Sequence, residues 1–456
     1  MFLPLVDWFG DEDVAQLFSE ESQVGAWLAV ERALASAQAE LGVIPSEAAV
    51  AIEAVAVPEH VDLAHLRSRT LTVGYPILPL LEQIGEHSPE AARYIHWGAT
   101  TQDIMDTGLA LLGGRALDRI GALTQALGQE FATKAEAHRA TVMPGRTHAQ
   151  PAVPITFGGK LAVLLAELTR HRERLRAARA RLVVVQLFGA AGTAAALGAQ
   201  SRAVRRRVAE RLGLGVVDVP WHTARDSVAE VCLVLASTAG TCGKLAREVI
   251  ELSRPEIGEL REEGGHLRGA SSTMPQKANP IGSEAVVGLS VLSAQQSGAL
   301  LTALQGTHER SAGEWQVEWD ALPLTFAATA GALAGSRRLL EGLRVFPERM
   351  RTNLDGEGGL IMAEAAMMAV AGVVGRAGAH ALVARASSVA RTEGISLREA
   401  LERTLDRETL DALPALDTVL DPEAYLGETD AIVTAALEGW AEIRTPPQPE
   451  AGTARP

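Results

Sequence analysis

Four stretches of this chain cluster hydroxyl, imidazole, carboxylate or cationic groups. The densest is Ala270-Ser271-Ser272-Thr273-Met274-Pro275-Gln276-Lys277-Ala278-Asn279-Pro280. It reads in two ways. One is a small-residue linker into a helix capped by Asn279, with Pro280 at the first helical position. The other is a lid whose hydroxyls, Lys277 and helix start close over an anion and exclude water. A second stretch, His96-Trp97-Gly98-Ala99-Thr100-Thr101-Gln102-Asp103, offers Thr100, Thr101 and Asp103 as helix caps. It equally offers a helix end whose N–H groups and threonine hydroxyls receive a carboxylate, with His96 as proton carrier or hydrogen-bond donor. A third, Gly145-Arg146-Thr147-His148-Ala149-Gln150-Pro151, alternates Arg146, His148 and Gln150 in an irregular segment. It is a surface loop or a proton-transfer site, because histidine titrates near neutrality. In the fourth, Thr307-His308-Glu309-Arg310-Ser311, Arg310 has the fork geometry to hold a carboxylate. A salt bridge to Glu309 or Glu314 is the competing role.

Other polar groups carry less. Trp221-His222 with Arg225-Asp226 reads as a helix start, with a catalytic His222 the lesser alternative, and Lys244, Arg247 and Glu248 share a helix face suited to ion pairs more than to substrate contact. Trp315 and Trp319, four apart, read as packing residues. No histidine, cysteine or carboxylate spacing matches a zinc site, and Gly189-Ala190-Ala191-Gly192 follows no convincing strand, so neither metal nor nucleotide cofactor is expected.

These segments must be positioned by helices. Apolar residues are 47 % of the 456-residue chain and aromatics only 4 %, a composition suited to closely approaching helices. Apolar periodicity marks five helices of unusual length, at about 107–139, 155–182, 227–252, 280–304 and 322–343. Strict heptads are absent, so the expected fold is all-α with a central five-helix bundle. Further helical patterns recur near 358–384, 396–402 and 428–441, and residues 181–185 form the one tempting β run, which reads equally as the end of a helix. Domains are expected at 1–106 (N-terminal helical), 107–346 (central bundle, with a mobile catalytic loop at about 257–279) and 347–445 (C-terminal helical), followed by a disordered tail at 446–456. The formal charge of −14 opposes nonspecific nucleic-acid binding. Two cysteines ten apart make no disulfide framework, and neither a signal peptide nor an unbroken apolar run of about 18 residues is seen. A cytoplasmic protein without membrane or nucleic-acid partner is the expectation.

The stretch Ser271-Ser272-Thr273-Met274-Pro275-Gln276-Lys277-Ala278-Asn279-Pro280 resembles the signature of the fumarase/aspartase superfamily, and the His96–Asp103 and Gly145–Pro151 stretches extend the likeness. Trp221 to Asp226, Gln186-Leu187-Phe188-Gly189 and His308-Glu309-Arg310 look closest to the bacterial 3-carboxy-cis,cis-muconate cycloisomerase branch, with adenylosuccinate lyase a nearer cousin than fumarase. The resemblance implies a homotetramer whose active sites are each assembled from three subunits around a small dicarboxylate. It implies Ser272 as the carbon base, His148 as proton donor and His96 as a second active-site histidine. Thr100, Thr101, Lys277 and Asn279 then match substrate-carboxylate contacts, with Arg146, Thr147, Gln150, Ser271, Met274 and Arg310 completing the substrate site.

Two departures steer the expected substrate. The cycloisomerase branch carries His-Lys-Arg-Asn-Pro where this chain has Gln276-Lys277-Ala278-Asn279-Pro280, and an Ala-Gly-Asn-Ser loop where it has Thr72-Val73-Gly74-Tyr75-Pro76. A lid short of two potential anion donors favours a smaller acid. The expected activity is therefore β-elimination from a substituted succinate with a nitrogen leaving group (aspartate-like, N-substituted or nitro), giving fumarate through an aci-carboxylate. The alternative is a lactone-forming or lactone-opening cycloisomerase. Ionising Ser272 near neutrality requires its pKa to fall by roughly 5 units, or about 7 kcal/mol. The helix start near Asn279 is expected to supply ~1–2 kcal/mol of that.

Overall fold

The computed structural model describes residues 4–263, 269, 273, 274 and 276–444. The expected tail at 446–456 lies outside the described residues. The chain folds into two compact units: Met1–Gln125, His171–Gly243 and Ala285–Gly335 form one, and Ala126–Arg170, Lys244–Glu284 and Ser336–Pro456 the other.

The fold is predominantly α-helical. A first long helix, α1 (Glu20–Glu40), starts where Ser19 accepts a hydrogen bond from the Ser22 N–H and Glu20 and Glu21 meet the positive helix end. Among the described residues, five helices of 23 to 37 residues dominate: α2 (Thr101–Ala137), α3 (Phe157–Leu182), α4 (Asp226–Leu252), α5 (Ile281–Ala303) and α6 (Glu314–Glu341). The expected lengths hold, with one clear shift. α6 begins at Glu314 rather than near 322 and runs through Pro323, so the aromatic residues Trp315 and Trp319 lie on its first turns. The proline leaves one backbone carbonyl without its helical donor, yet the helix continues through it.

Hydroxyl side chains join these helices at close range. Ser297 Oγ on α5 donates to the Cys232 carbonyl on α4 at 2.9 Å, and Ser293 on α5 meets Thr329 on α6 at 2.9 Å. Such small polar residues interrupt apolar runs without making the helices polar. By length and composition, Asp226–Leu252, Ile281–Ala303 and Gly356–Val374 are apolar enough to cross a membrane, although no unbroken apolar run marks them. In the first of these, 67 % of the apolar window is buried within the chain itself.

In the first unit, Trp27 and Leu28 of α1 pack with Ile52, Leu66, Leu80, Ile84 and Ile104 in one core cluster. In the second, Leu354, Met362, Val370, Val383 and Leu401 form a core rich in alanine. The helical pattern expected at 358–384 is two helices, α7 (Ala363–Val374) and α8 (Arg376–Glu393). Gly375 separates them at φ +77°, a left-handed conformation that glycine adopts without penalty and that periodicity does not register.

The 181–185 segment is not a strand; its first two residues, Arg181 and Leu182, end α3, as the other reading expects. Only Val184 makes an isolated parallel bridge, to Gly215. The β-structure lies elsewhere, in the stretch read as a loop: β1 (Val142–Thr147) and β2 (Gln150–Thr156) form an antiparallel hairpin. A second small pair joins β3 (Leu260–Glu262) to β4 (Leu343–Val345).

Candidate active site

In the first unit the site residues gather at the start of α2. Asp103, fully buried, accepts hydrogen bonds from four groups: the N–H of Thr100 (3.1 Å), Phe188 (3.0 Å) and Gly189 (2.8 Å), and His222 Nε2 (2.9 Å). The bond back to Thr100 closes half of a capping box. Asp103 is therefore a tie that fixes the helix start to the 186–189 segment. Thr100 and Thr101 are half-buried at the positive end of this 37-residue helix, where backbone N–H groups and the aligned dipoles suit an anion.

Gln102 organises the next layer. Its amide donates to the His222 carbonyl at 2.8 Å, and its oxygen accepts from Arg310 Nε at 3.1 Å. Arg310 is thus oriented by an uncharged partner, not by Glu309 or Glu314. Among the described residues its buried Nη2 has no hydrogen-bond partner, a donor left over for a carboxylate.

His96 sits in a left-handed turn at φ +63°. Its Nδ1–H donates to Oε1 of Glu31 on α1 at 2.5 Å. Burial pushes the imidazolium pKa down, but the charge and hydrogen bond of Glu31, together with Asp103, outweigh it and hold the value above that of an ordinary histidine.

In the second unit the β1–β2 hairpin carries the other histidine. Thr147 pairs with Gln150, which leaves His148 and Ala149 as a two-residue loop with φ of +51° and +61°. Both values are positive, so this is the mirror-image turn that matches the strand twist. Thr147, His148 and Gln150 are exposed at this tip. Arg146 behaves differently. Its guanidinium forms a fork with the fully buried Glu259 (Nη1–Oε2 2.9 Å, Nη2–Oε1 2.6 Å), and Asn353 donates to the same carboxylate at 2.7 Å. The arginine offered as a substrate ligand is here the brace of the hairpin.

Ser271 and Ser272 lie outside the described residues. Of the same stretch, Met274 and Lys277 are exposed and Asn279 is half-buried. Asn279 does not cap α5. The helix begins at Ile281, and Glu262 of β3 takes the N–H groups of Gly282 (3.1 Å) and Ser283 (2.7 Å). A carboxylate accepts two bonds at once and also meets the dipole, so it outcompetes an amide there. The positive end expected to help ionise Ser272 is thus occupied by a protein carboxylate.

Sequence reading missed the acids that support these groups: Glu31, Glu259, Glu262 and the pair flanking Arg225. That arginine, 5 % exposed, lies between the buried Asp106 and Glu318. Burial raises the Asp106 carboxyl above the usual carboxylate range despite Arg225, while the two acids raise the arginine in spite of its own burial. Glu31 alone left a signal. It and Gln38 are seven apart, two polar residues on the apolar face of α1.

A family model described as Lyase matches residues 11–292, and one described as Adenylosuccinate lyase C-terminus matches residues 359–436. The chain belongs to the fumarase/aspartase superfamily. This superfamily member is 41 % identical to 3-carboxy-cis,cis-muconate cycloisomerase of Pseudomonas aeruginosa, with 95 % of each chain covered. Among solved structures it matches 3-carboxy-cis,cis-muconate lactonizing enzyme from Pseudomonas putida at 37 % identity and a TM-score of 0.90, covering 97 % of this chain and 100 % of that one. It matches fumarate lyase from Mesorhizobium sp. BNC1 at 40 % identity and a TM-score of 0.87, covering 94 % and 98 %. The likeness read from the 271–280 stretch is borne out, and the chain is a lyase of the fumarase/aspartase type.

Proposed function

We propose that this lyase is a cycloisomerase that interconverts a carboxymuconate and its lactone. The likeness over 95 % of both chains to the Pseudomonas aeruginosa cycloisomerase carries the reading, and outweighs the smaller-acid argument drawn from the lid. Ring opening is a β-elimination: a base removes a proton beside one carboxylate, charge spreads onto that carboxylate, and the ring C–O bond breaks to release a second carboxylate. Ring closure runs in reverse, with the carboxylate oxygen adding to the alkene and the proton returning to carbon. The substrate carboxylate bearing the new charge is the one to be gripped, since only interactions stronger at that point speed the reaction.

In this reading Ser272 is the carbon base, and His148, at the hairpin tip, is the acid and base partner. Thr100, Thr101, Arg310, Lys277 and Asn279 hold carboxylates, with Thr147, Gln150, Ser271 and Met274 around them. The site is completed in a homotetramer from three subunits, and the domain division at 106, 346 and 445 belongs to the same reading. The helix end at Ile281 is capped by Glu262, so the ionisation of Ser272 falls to Lys277 and solvent exclusion.

A second reading, elimination from a substituted succinate to fumarate, is favoured by Gln276 and Ala278, which supply no positive charge to the lid. Both use one chemistry and differ in product. Incubation with 3-carboxy-cis,cis-muconate, followed by loss of its diene absorbance, tests the first; fumarate formation from N-substituted and nitro succinates tests the second. Turnover of succinates alone refutes the cycloisomerase. In either case Ser272→Ala is expected to lower kcat by roughly 10²–10⁴-fold or more with the assembly intact by light scattering. Near-normal turnover removes Ser272 from the reaction.

A further inference from the structure

α1 buries a face that is apolar except at two positions. Glu31 and Gln38 are 1 % and 0 % exposed, and they stand seven residues, about two turns, apart on that face. Both reach the same turn. Glu31 Oε1 accepts from His96 Nδ1 at 2.5 Å, and Gln38 Nε2 donates to the Trp97 carbonyl at 2.8 Å. Between them they pin a turn in which His96 holds φ +63°.

The charge of this arrangement follows from desolvation. A carboxylate taken out of water is unfavourable unless a cation meets it. Among the described residues, the ion-pair partner of Glu31 is His96, and the second oxygen, Oε2, is buried with no hydrogen-bond partner. An imidazolium satisfies that need; a neutral ring does not. With Nδ1–H given to Glu31, Nε2–H is the remaining donor of the ring.

We propose that Glu31 is a positioning residue that keeps His96 as an imidazolium, so that His96 grips a substrate carboxylate through Nε2 and leaves proton transfer to His148. The inference rests on the reading of His96 as a member of the active site. It deepens that reading by assigning a fixed positive charge to a site whose lid supplies few, which suits a substrate bearing more than two carboxylates. The groups facing His96 are Glu31 from α1 and Asp103 from the start of α2, and Asp103 is itself paired with His222. Burial opposes the charge, and the two carboxylates favour the protonated ring and prevail, in agreement with its raised pKa.

The test uses the full chain in its native assembly. Histidine labelled with 13C at Cε1 is titrated by NMR, with His96→Asn to assign the signal. The wild-type His96 midpoint is expected above the ordinary value of 6.5. In Glu31→Gln, which keeps the shape and removes the charge, it is expected to fall by about one unit or more, a tenfold loss of proton affinity. With the substrate identified by the two assays above, Glu31→Gln is expected to raise KM about tenfold at pH 8 with kcat changed far less, and the gap should narrow at pH 6 as the ring regains its proton. A wild-type midpoint at or below 6.5, or one unmoved in Glu31→Gln, overturns the role of Glu31. If that happens while His96→Gln still raises KM, the site assignment stands and only the dyad falls. A midpoint that shifts as expected without any change in KM removes His96 from the substrate site and overturns the proposal from the other side. Should Glu31→Gln not fold, Glu31→Asp and the wild-type titration decide the matter alone.

Discussion

Replacing Arg225 by Met tests how the first unit is held together. The guanidinium is 5 % exposed and donates four bonds to two carboxylates: Nη1 and Nη2 to Asp106 at 2.8 and 3.1 Å, Nε to Glu318 at 2.9 Å, and Nη2 to the other Glu318 oxygen. It also lies 4.9 Å from the centre of the Trp221 ring. Methionine fills much of the same volume but leaves two acids, each 2–3 % exposed, facing one another without a cation. Breaking a buried ion pair by removing one partner costs about 3–5 kcal/mol. At about 2–4 °C per kcal/mol for a unit of this size, the apparent Tm should fall by roughly 6–20 °C in scans at matched rates. The sign of the pH dependence is fixed. Burial already raises the Asp106 carboxyl, and removing Arg225 takes away the charge that opposes that rise. A group of that kind favours the folded state most below its unfolded pKa and loses that contribution as pH rises through the folded one. The deficit should therefore shrink as pH is lowered from 8 towards 5. Adding Asp106→Asn and Glu318→Gln to Arg225→Met removes the stranded charges and should recover most of the loss. A single variant within about 0.5 kcal/mol of wild type, the margin of an ordinary surface change, would refute the account, as would a deficit that grows on acidification.

Two further substitutions probe the second unit. Glu262→Ala strips the carboxylate from Gly282 and Ser283 and should destabilise by about 1–2 kcal/mol in urea titrations, with Glu262→Gln recovering part; equal stability of all three would show that α5 does not depend on this cap. In Gly128→Ala the new Cβ would lie 2.1 Å from the Trp440 ring, so the ring must move. The overpacking cost of ~1–3 kcal/mol exceeds the ~1 kcal/mol gain in helix propensity, and a net loss with altered tryptophan fluorescence is expected.

The long helices were legible because periodic apolar residues over many turns leave few alternatives. What the sequence concealed falls into two kinds. The first is backbone reversal. Gly375 divides an unbroken apolar pattern, and the β1–β2 hairpin lies inside a stretch whose prolines and lack of alternation read as a loop. Its turn residues, His148 and Ala149, are not the Asn-Gly or Asp-Gly that announce such a turn. The second is long-range pairing. Glu259 meets Arg146 across 113 residues and Arg225 meets Asp106 across 119, separations that one sequence does not reveal. The motif residues themselves were visible because they cluster within short stretches. Their supports were hidden because buried acids look, in sequence, like the many acids that face water.

The hairpin that presents His148 also has a consequence for how the chain behaves in a crowd. Two-stranded sheets leave both flanks with unpaired backbone groups, and in many proteins such flanks recruit a strand from another molecule. Here Pro144, Pro151 and Pro154 deprive this ribbon of three amide hydrogens, Pro144 and Pro154 lie opposite each other in the ladder, and the register slips between Gly145 and Arg146. A foreign strand laid along it would find donors missing and spacing broken. The ribbon is self-terminating: it can carry an exposed histidine at its tip at high protein concentration without seeding growth of a larger sheet.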